Sequence, residues 1–271
     1  MIIRTSRPNW LTSTWLAWLL STLFTMPLSA YAGCSASDDP ISTDRPSTAN
    51  SSATIPKGSL QLENGMTETH DQSIWTIDLP ETRMRVGLAD CTEVLVDFPD
   101  YYRSNVASGS NGASNGTSNI GTAIKHQFPD WVNGFTFSGT LGVFLDTGNS
   151  ALAGAGPNPY AQSPWSYDLG SSWSVNGMFG ILTQRHALNS NSICESTLYL
   201  DRSINDKSDM FIEYGINEQK GTTSIGTWGV GGSYRFMPMQ QVDFKLGSGV
   251  NNAAPSFYLS IGYSVRFNRL F

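Results

Sequence analysis

The chain has 271 residues, a formal net charge of −6 at pH 7 and only 14% charged residues. The negative charge and the lack of a basic run exclude a surface that tracks a phosphate backbone, so no nucleic-acid partner is predicted. The length suits one all-β domain, because barrels of roughly 200–250 residues fold as single units.

Residues 1–32 have the order of a secretory signal peptide. Two arginines precede an apolar stretch from Trp10 to Leu28, and small residues predict cleavage after Ala32. A rival interpretation reads Ala32-Gly33-Cys34 as a lipoprotein signal with an acylated Cys34. A retained helical anchor fits less well, because Ser and Thr dilute the apolar stretch. In every case the chain leaves the cytoplasm.

Residues 33–58 are rich in Ser, Thr, Asp, Pro and Ala without a period, which predicts a periplasmic lead-in. A barrel is predicted over residues 59–271. Its first strand, Ser59 to Thr69, places Leu60 and Leu62 on one face and Gln61 and Glu63 on the other.

Eleven further segments alternate in the same way. They are predicted at 81–86, 92–98, 120–127, 135–145, 163–169, 173–182, 192–201, 210–216, 225–236, 242–246 and 257–271. About twelve strands predict a transmembrane antiparallel up-and-down β-barrel with both termini in the periplasm, since such barrels have even strand numbers. The connections predicted outside, 70–80, 100–119, 146–162, 183–191, 217–224 and 247–256, are longer than most of the inner ones.

The last segment has an apolar, aromatic face and ends on Phe. This pattern resembles the assembly signal of bacterial outer-membrane β-barrels, and the barrel-assembly machinery is a predicted partner. The signal residues are predicted to be Tyr263, Phe267 and Phe271. Outer-membrane lipid is the partner predicted for the apolar face, and the bacterial outer membrane is the predicted location. Other aromatic residues near strand ends suit the two membrane interfaces.

Two neighbouring motifs carry a family resemblance. Thr43-Asp44-Arg45-Pro46 is followed by a Pro56-x-Gly58-x-x-Gln61-x-Glu63-x-Gly65 strand. This run resembles the opening signature of the meta-pathway phenol-degradation family of outer-membrane proteins, often called transporters. Shorter matches extend over nearly all of the mature chain, although Asp146 departs from the family's LPTG element. The resemblance implies an outer-membrane barrel linked to aromatic compounds, without fixing a cargo.

Assigning the apolar face of each strand to lipid turns charged residues of both signs toward the lumen. They are Glu63, Arg83, Arg85, Glu93, Asp97, Lys125, Glu195, Asp201, Glu213, Arg235, Asp243, Lys245 and Arg266. One interpretation is that they pair across strands and keep the lumen polar and rigid. The other is a polar pathway or binding site, since a barrel of this size could hold a narrow pore or one ligand. Inward Tyr199, Phe211 and Tyr258 could stack on an aromatic cargo or simply pack.

Catalysis and metal binding have few candidates. Only His186 stands near several hydroxyls and amides, and the Ser, His and Asn spacing of outer-membrane phospholipases is not present. No paired His or Cys spacing suits a metal. We therefore predict a non-enzyme with no catalytic residue, no metal site and no cofactor, and keep a lipase-like enzyme as a minor alternative.

The cysteines test the predicted topology. Cys91 falls near the periplasmic end of the third strand and Cys194 near the outer end of the eighth, too far apart for a disulfide. Cys34 could bond to Cys91 in the oxidising periplasm if it carries no lipid.

The leading functional prediction is a passive channel or transporter for small molecules, with aromatic compounds as one candidate class. The alternative is a filled structural or adhesive barrel whose lumen is plugged by Asp38 to Pro56. The cargo and the oligomeric state stay open.

Overall fold

A computed structural model describes residues 33–105, 115–130, 132–149, 156–185 and 190–271. The predicted signal peptide and His186 lie outside these ranges. Among the described residues, no helix is long and apolar enough to cross a membrane.

Twelve antiparallel strands form one closed sheet in the described part of the chain. They are β1 (Leu60–Asp71), β2 (Ile74–Leu79 and Arg83–Ala89), β3 (Thr92–Asp97 and Tyr101–Ser104), β4 (Asn115–Thr117 and Gly121–Gln127), β5 (Phe135–Phe144), β6 (Asn158–Gly170), β7 (Trp173–Arg185), β8 (Ser190–Asn205), β9 (Ser208–Gln219), β10 (Ile225–Met237), β11 (Gln240–Gly249) and β12 (Phe257–Phe267). Each strand pairs with its chain neighbours, and β12 pairs with β1 from Leu60↔Phe267 to His70↔Phe257. The predicted fold class, an all-β twelve-stranded antiparallel barrel, is confirmed.

Two predicted loops were wrong, because parts of them belong to strands. The connection predicted at 70–80 is only the turn at residues 72–73, and Ile74–Leu79 pairs with both β1 and Tyr101–Ser104. The loop predicted at 100–119 also contains Tyr101–Ser104 and Asn115–Thr117. Pro80 and Pro99 lie in the interruptions of β2 and β3, where a missing backbone N–H breaks the ladder. Because of these breaks, the period-two pattern did not reveal Ile74–Leu79 and Tyr101–Ser104 as parts of strands.

The two ends of the barrel differ in their connections. We call the end where Leu60 pairs with Phe267 the terminal end and the opposite one the loop end. At the terminal end, four of the five turns have two residues, at 90–91, 171–172, 206–207 and 238–239. At the loop end, five of the six connections are longer, spanning 105–114, 145–157, 186–189, 220–224 and 250–256. This asymmetry is typical of outer-membrane barrels.

The outer wall is apolar and exposed. In β12, Leu259 and Ile261 are exposed on the outside, whereas Tyr258, Ser260 and Ser264 are buried on the inside. The other strands present similar residues, such as Phe179 with 62% exposure. A continuous apolar outer surface on a closed barrel is the surface that meets lipid.

The cysteines form the Cys34–Cys91 pair that the sequence allowed for a Cys34 without lipid. Cys34 and Cys91 form a disulfide with a Cα–Cα distance of 5.4 Å, and Cys194 is free and exposed. The predicted absence of a Cys91–Cys194 bond is confirmed. A sulfur in a disulfide cannot also carry a thioether, so this pairing and acylation of Cys34 exclude each other.

Candidate functional site: the barrel lumen

Residues 41–56, here called the lumen segment, lie inside the barrel. Ile41, Ala49 and Ile55 are all buried. The segment has no regular secondary structure, so its backbone groups need other partners. The barrel wall supplies them: the amide of Asp44 donates to Glu63 Oε2 at 2.9 Å and that of Ile55 to Glu93 Oε2 at 2.7 Å. We expected a periplasmic lead-in here; the structure instead has the alternative arrangement, with the lead-in folded into the lumen.

Asp44 is the electrostatic centre of the segment. Its carboxylate lies 3.1 Å from Arg83 Nη1, 3.5 Å from Arg85 Nη1 and 3.2 Å from Lys125 Nζ. Burial by itself raises the pKa of Asp44, but the charges of Arg85, Lys125 and Arg83 outweigh it and hold that pKa well below its usual value. These three cations therefore favour the carboxylate form of Asp44 and hold it against the wall.

A fully buried ion-pair network surrounds this anion. Arg85 also pairs with Glu63 at 3.1 Å and with Glu93 at 2.8 Å, and Lys125 lies 3.3 Å from Glu93. The side chains of these four wall residues have 0% exposure. Buried charges persist only when paired and hydrogen-bonded, so the network fixes Asp44 against β1 to β4.

Arg45 extends to another part of the wall. Its Nη1 lies 2.6 Å from Glu81, its Nη2 donates to Ser260 Oγ at 2.8 Å, and its Nε lies 3.4 Å from Asp243. Asp44 and Arg45 are adjacent in sequence but contact different parts of the wall. Asp44 contacts β2 and β4, whereas Arg45 contacts β11, β12 and Glu81 in the interruption of β2.

A third attachment involves Glu213 on β9. It accepts hydrogen bonds from the Thr48 amide at 3.0 Å and from Ser47 Oγ at 2.9 Å, and it pairs with Lys245 at 2.8 Å. The Lys245 ammonium also lies 5.3 Å from the Tyr258 ring centroid.

The remaining residues predicted to face the lumen have separate partners. Asp97 pairs with Arg83 at 2.6 Å, and Arg235 pairs with Asp209 at 3.3 Å. Glu195 accepts from Gln162 at 2.8 Å. Asp201 is half-buried, and Arg266 donates to the Asp39 carbonyl. Most of the predicted set thus meets the lumen segment or a neighbouring strand.

The sequence missed residues that the structure places beside them. Asp44 and Arg45 lie in a segment without periodicity, and only their place in a family signature distinguished them. Asp78 and Asp100 lie in or beside strand halves that the alternation pattern assigned to loops. Glu81 begins the predicted strand 81–86, but in the structure it lies in the interruption of β2.

The predicted assembly-signal residues lie on the outer wall. Tyr263, Phe267 and Phe271 have exposures of 40%, 47% and 74%. The hydroxyl of Tyr263 donates to Gln240 Oε1 at 3.0 Å. Phe271 lies beyond the end of β12. Their role in assembly stays a prediction.

The lumen segment divides the open space inside the barrel. A cavity of about 520 Å³, the loop-end chamber, lies on one side, and one of about 430 Å³, the terminal-end chamber, lies on the other. A third cavity of about 310 Å³ lies beside β1 and β10 to β12. Arg45 and Ser47 border all three cavities.

The loop-end chamber is lined by both apolar and charged residues. Phe144 and Leu182 are its apolar lining, backed by buried Leu95 and Tyr160. The rings of Phe144 and Tyr160 stack with centroids 4.9 Å apart. Its charged lining consists of Asp78, Glu81, Arg83, Asp97 and Asp100. A solute in this chamber meets apolar surface and charged groups together.

Residues 43–267 match the family model described as "Putative MetA-pathway of phenol degradation". The chain belongs to this family. The match spans the lumen segment from Thr43 onward and almost the whole barrel. No curated protein matches the chain in sequence.

Several solved structures share the fold. The COG4313 outer membrane channel from Pseudomonas putida F1 is 14% identical with a TM-score of 0.61, over 79% of this chain and 97% of that one. NanC porin is 8% identical with a TM-score of 0.53, covering 76% and 98%. KdgM porin is 13% identical with a TM-score of 0.50, covering 78% and 99%. The fold is that of bacterial outer-membrane channels, and the outer membrane is the location it indicates.

Proposed function

We propose that this protein is a passive outer-membrane channel for small molecules, narrowed by the lumen segment. The observation that carries the proposal is the pair of chambers that lie on the two sides of the segment inside a closed barrel. The channel and porins that share the fold support it. In this proposal the loop end faces outward and both termini lie in the periplasm.

The chamber walls favour a class of solute. An apolar ring would pack on Phe144 and Leu182 while its polar substituents meet Arg83 and Asp97, which line the same chamber. The family description, which refers to phenol degradation, agrees with small aromatic molecules as cargo. Passage would follow the concentration gradient, since selectivity in such pores comes from the side chains that line them.

The test measures solute flux and ion conductance of the purified full chain in lipid bilayers. Ser47→Trp adds an indole where all three cavities meet and is expected to lower both quantities. Ser163→Trp is the matched control, because Ser163 lies in a depression of about 370 Å³ on the outer wall. A heat-modifiable barrel that passes neither ions nor solutes would overturn the proposal.

A second candidate function is a structural or adhesive barrel that the lumen segment keeps closed. The many hydrogen bonds between the segment and the wall support it. It predicts that the wild-type protein, with its segment intact, passes neither ions nor solutes, and neither candidate uses a catalytic step.

A further inference from the structure

The guanidinium of Arg45 occupies a slot at two glycines. Gly65 of β1 and Gly262 of β12 lie directly opposite each other in the strand register. A methyl group added at either position would overlap the guanidinium. Neither glycine has a positive φ, so the backbone itself does not require glycine there. The space that the Arg45 guanidinium occupies therefore accounts for glycine at both positions.

The groups around the slot complement a guanidinium. Glu81 and Ser260 contact its two terminal nitrogens, and the carbonyl of Ile261 accepts a further hydrogen bond at 3.1 Å. Asp243, whose side chain has 0% exposure, faces Nε. Within the described ranges, Arg45 is the only ion-pair partner of both Glu81 and Asp243. Charge and shape thus both select Arg45.

The two sequence motifs of the family signature meet at this slot. Glu63 accepts the amides of Asp44 and Arg45, and Gly65, two residues further on the same inward face, receives the Arg45 side chain. The Asp44-Arg45-Pro46 motif and the Glu63-x-Gly65 motif are therefore two halves of one contact.

Arg45 lies where a movement of its side chain would change the open space between the cavities of the lumen. The ends of the region are held elsewhere, by the Cys34–Cys91 disulfide and by the start of β1. Arg45 lies in the middle, where it borders all three cavities. Its side chain is 15% exposed, whereas that of Asp44 is 3% exposed.

We propose that Arg45 is the latch of the lumen segment and that the pair Gly65 and Gly262 is its slot. Withdrawal of the guanidinium releases Arg45 from β11 and β12 and widens the passage between the chambers, while Asp44 and Thr48 keep their own partners. Arg45 is a positioning residue that acts through the segment. The conductance expected from its release rests on the proposed channel function, whereas the docking itself does not.

The test uses the full chain with Gly65→Ala. The added methyl group meets the flexible end of a side chain, not backbone, so the barrel keeps its wall while Arg45 leaves the slot. Gly215→Ala is the matched control, because Gly215 also faces inward and its nearest atom to an added methyl is 3.4 Å away. Arg45→Gln provides a second variant that keeps the glycines and removes the charge. The shift of unheated against boiled protein on gels verifies the closed barrel.

The first measurement is amide hydrogen exchange of residues 41–56. Both latch variants are expected to raise exchange at Arg45 and Ser47 by about tenfold or more, with strand amides unchanged, because exchange reports local opening. The second measurement is single-channel conductance, which is expected to rise in both variants and to stay at the wild-type level in Gly215→Ala.

The outcomes separate the latch from the channel. If amide exchange in both latch variants equals that of Gly215→Ala, the latch proposal is overturned, whatever conductance is measured. If exchange rises while every variant stays silent, the latch stands and the channel proposal fails. If Gly65→Ala fails to form a barrel, the slot cannot tolerate a methyl, and exchange in Arg45→Gln alone decides.

Discussion

The two halves of the lumen differ in what fills them. Beside β1 to β4, the side chains of Glu63, Arg85, Glu93 and Lys125 are fully buried and bind the lumen segment, chiefly at Asp44. Beside β6 to β10, the segment is held at Glu213 on β9, and space remains toward the terminal end, where Asp201, Asp209 and Arg235 line the terminal-end chamber. We call these the filled half and the open half at the level of Asp44; nearer the loop end, Arg83 and Asp97 line the loop-end chamber. The difference indicates that charge pairing holds the segment against the filled half.

Arg85→Met is the change expected to damage the filled half most. It leaves Asp44, Glu63 and Glu93 buried without their shared cation, which costs about 3–5 kcal/mol of unfolding free energy. Denaturant titration of the folded barrel measures this loss. The control is Arg235→Met in the open half, whose ion pair with Asp209 is partly exposed and contributes at most about 1 kcal/mol. Equal losses in the two variants would abolish the distinction between the halves.

Loss of the disulfide is the next largest effect expected. Cys34→Ser removes a cross-link that spans 57 residues of sequence, and such links typically contribute about 2–4 kcal/mol. The same denaturant titration reports it. Alkylation before reduction should label Cys194 alone, and Cys194→Ser is the control that should leave stability unchanged. Labelling of Cys91 in the unreduced native chain, or a lipid on Cys34, would contradict the pairing.

Asp201→Asn tests the route through the open half with a smaller effect. Removing a half-buried carboxylate from the terminal-end chamber should lower the cation-to-anion permeability ratio by roughly twofold, because charged side chains set pore selectivity. Reversal potentials in a salt gradient measure the ratio. Asp206→Asn is the control, since Asp206 is exposed in the turn between β8 and β9. Identical permeability ratios in the two variants would contradict a solute route along this wall.

A change of pH should affect the docking at Asp44 least. The folded pKa of Asp44 is depressed, so its stabilising contribution is present above the unfolded value of about 3.9 and is lost only as pH falls through the lower folded value. The Ser51 amide donates to Asp44 Oδ1 at 3.0 Å. Between about pH 5 and 8 its exchange protection, corrected for intrinsic exchange, should therefore stay constant. Protection of this amide that falls across that range would contradict a charged Asp44.

The sequence predicted the wall of the barrel well and its contents poorly. The period-two alternation of β12 and the even strand number depend on local pattern, which a single sequence carries. Pro80 and Pro99 interrupt that pattern, so the parts of β2 and β3 on the loop-end side of these prolines were not predicted as strands. The lumen segment has no period at all, so nothing local predicts that Asp44 binds Arg85 or that Arg45 reaches Ser260.

Pairing within the lumen depends on closure of the barrel. The alternation pattern assigned Arg85 and Asp243 to the inward face, but it could not identify their partners. Contacting residues can lie far apart in the chain: Arg45 and Ser260 are 215 residues apart. The family signature marked Asp44, Arg45 and Gly65 as a set without showing that they touch. Only the three-dimensional arrangement supplies that contact.

The Gly65–Gly262 slot has a consequence for how the protein is assembled. One half of the slot lies on β1 and the other on β12, the last strand of the chain. Until these two strands pair, Arg45 has no complete slot, so closure of the wall and docking of Arg45 are one event. A chain truncated before β12 would lose the closed wall and one half of the slot together, while Asp44 would keep its partners on β2 and β4.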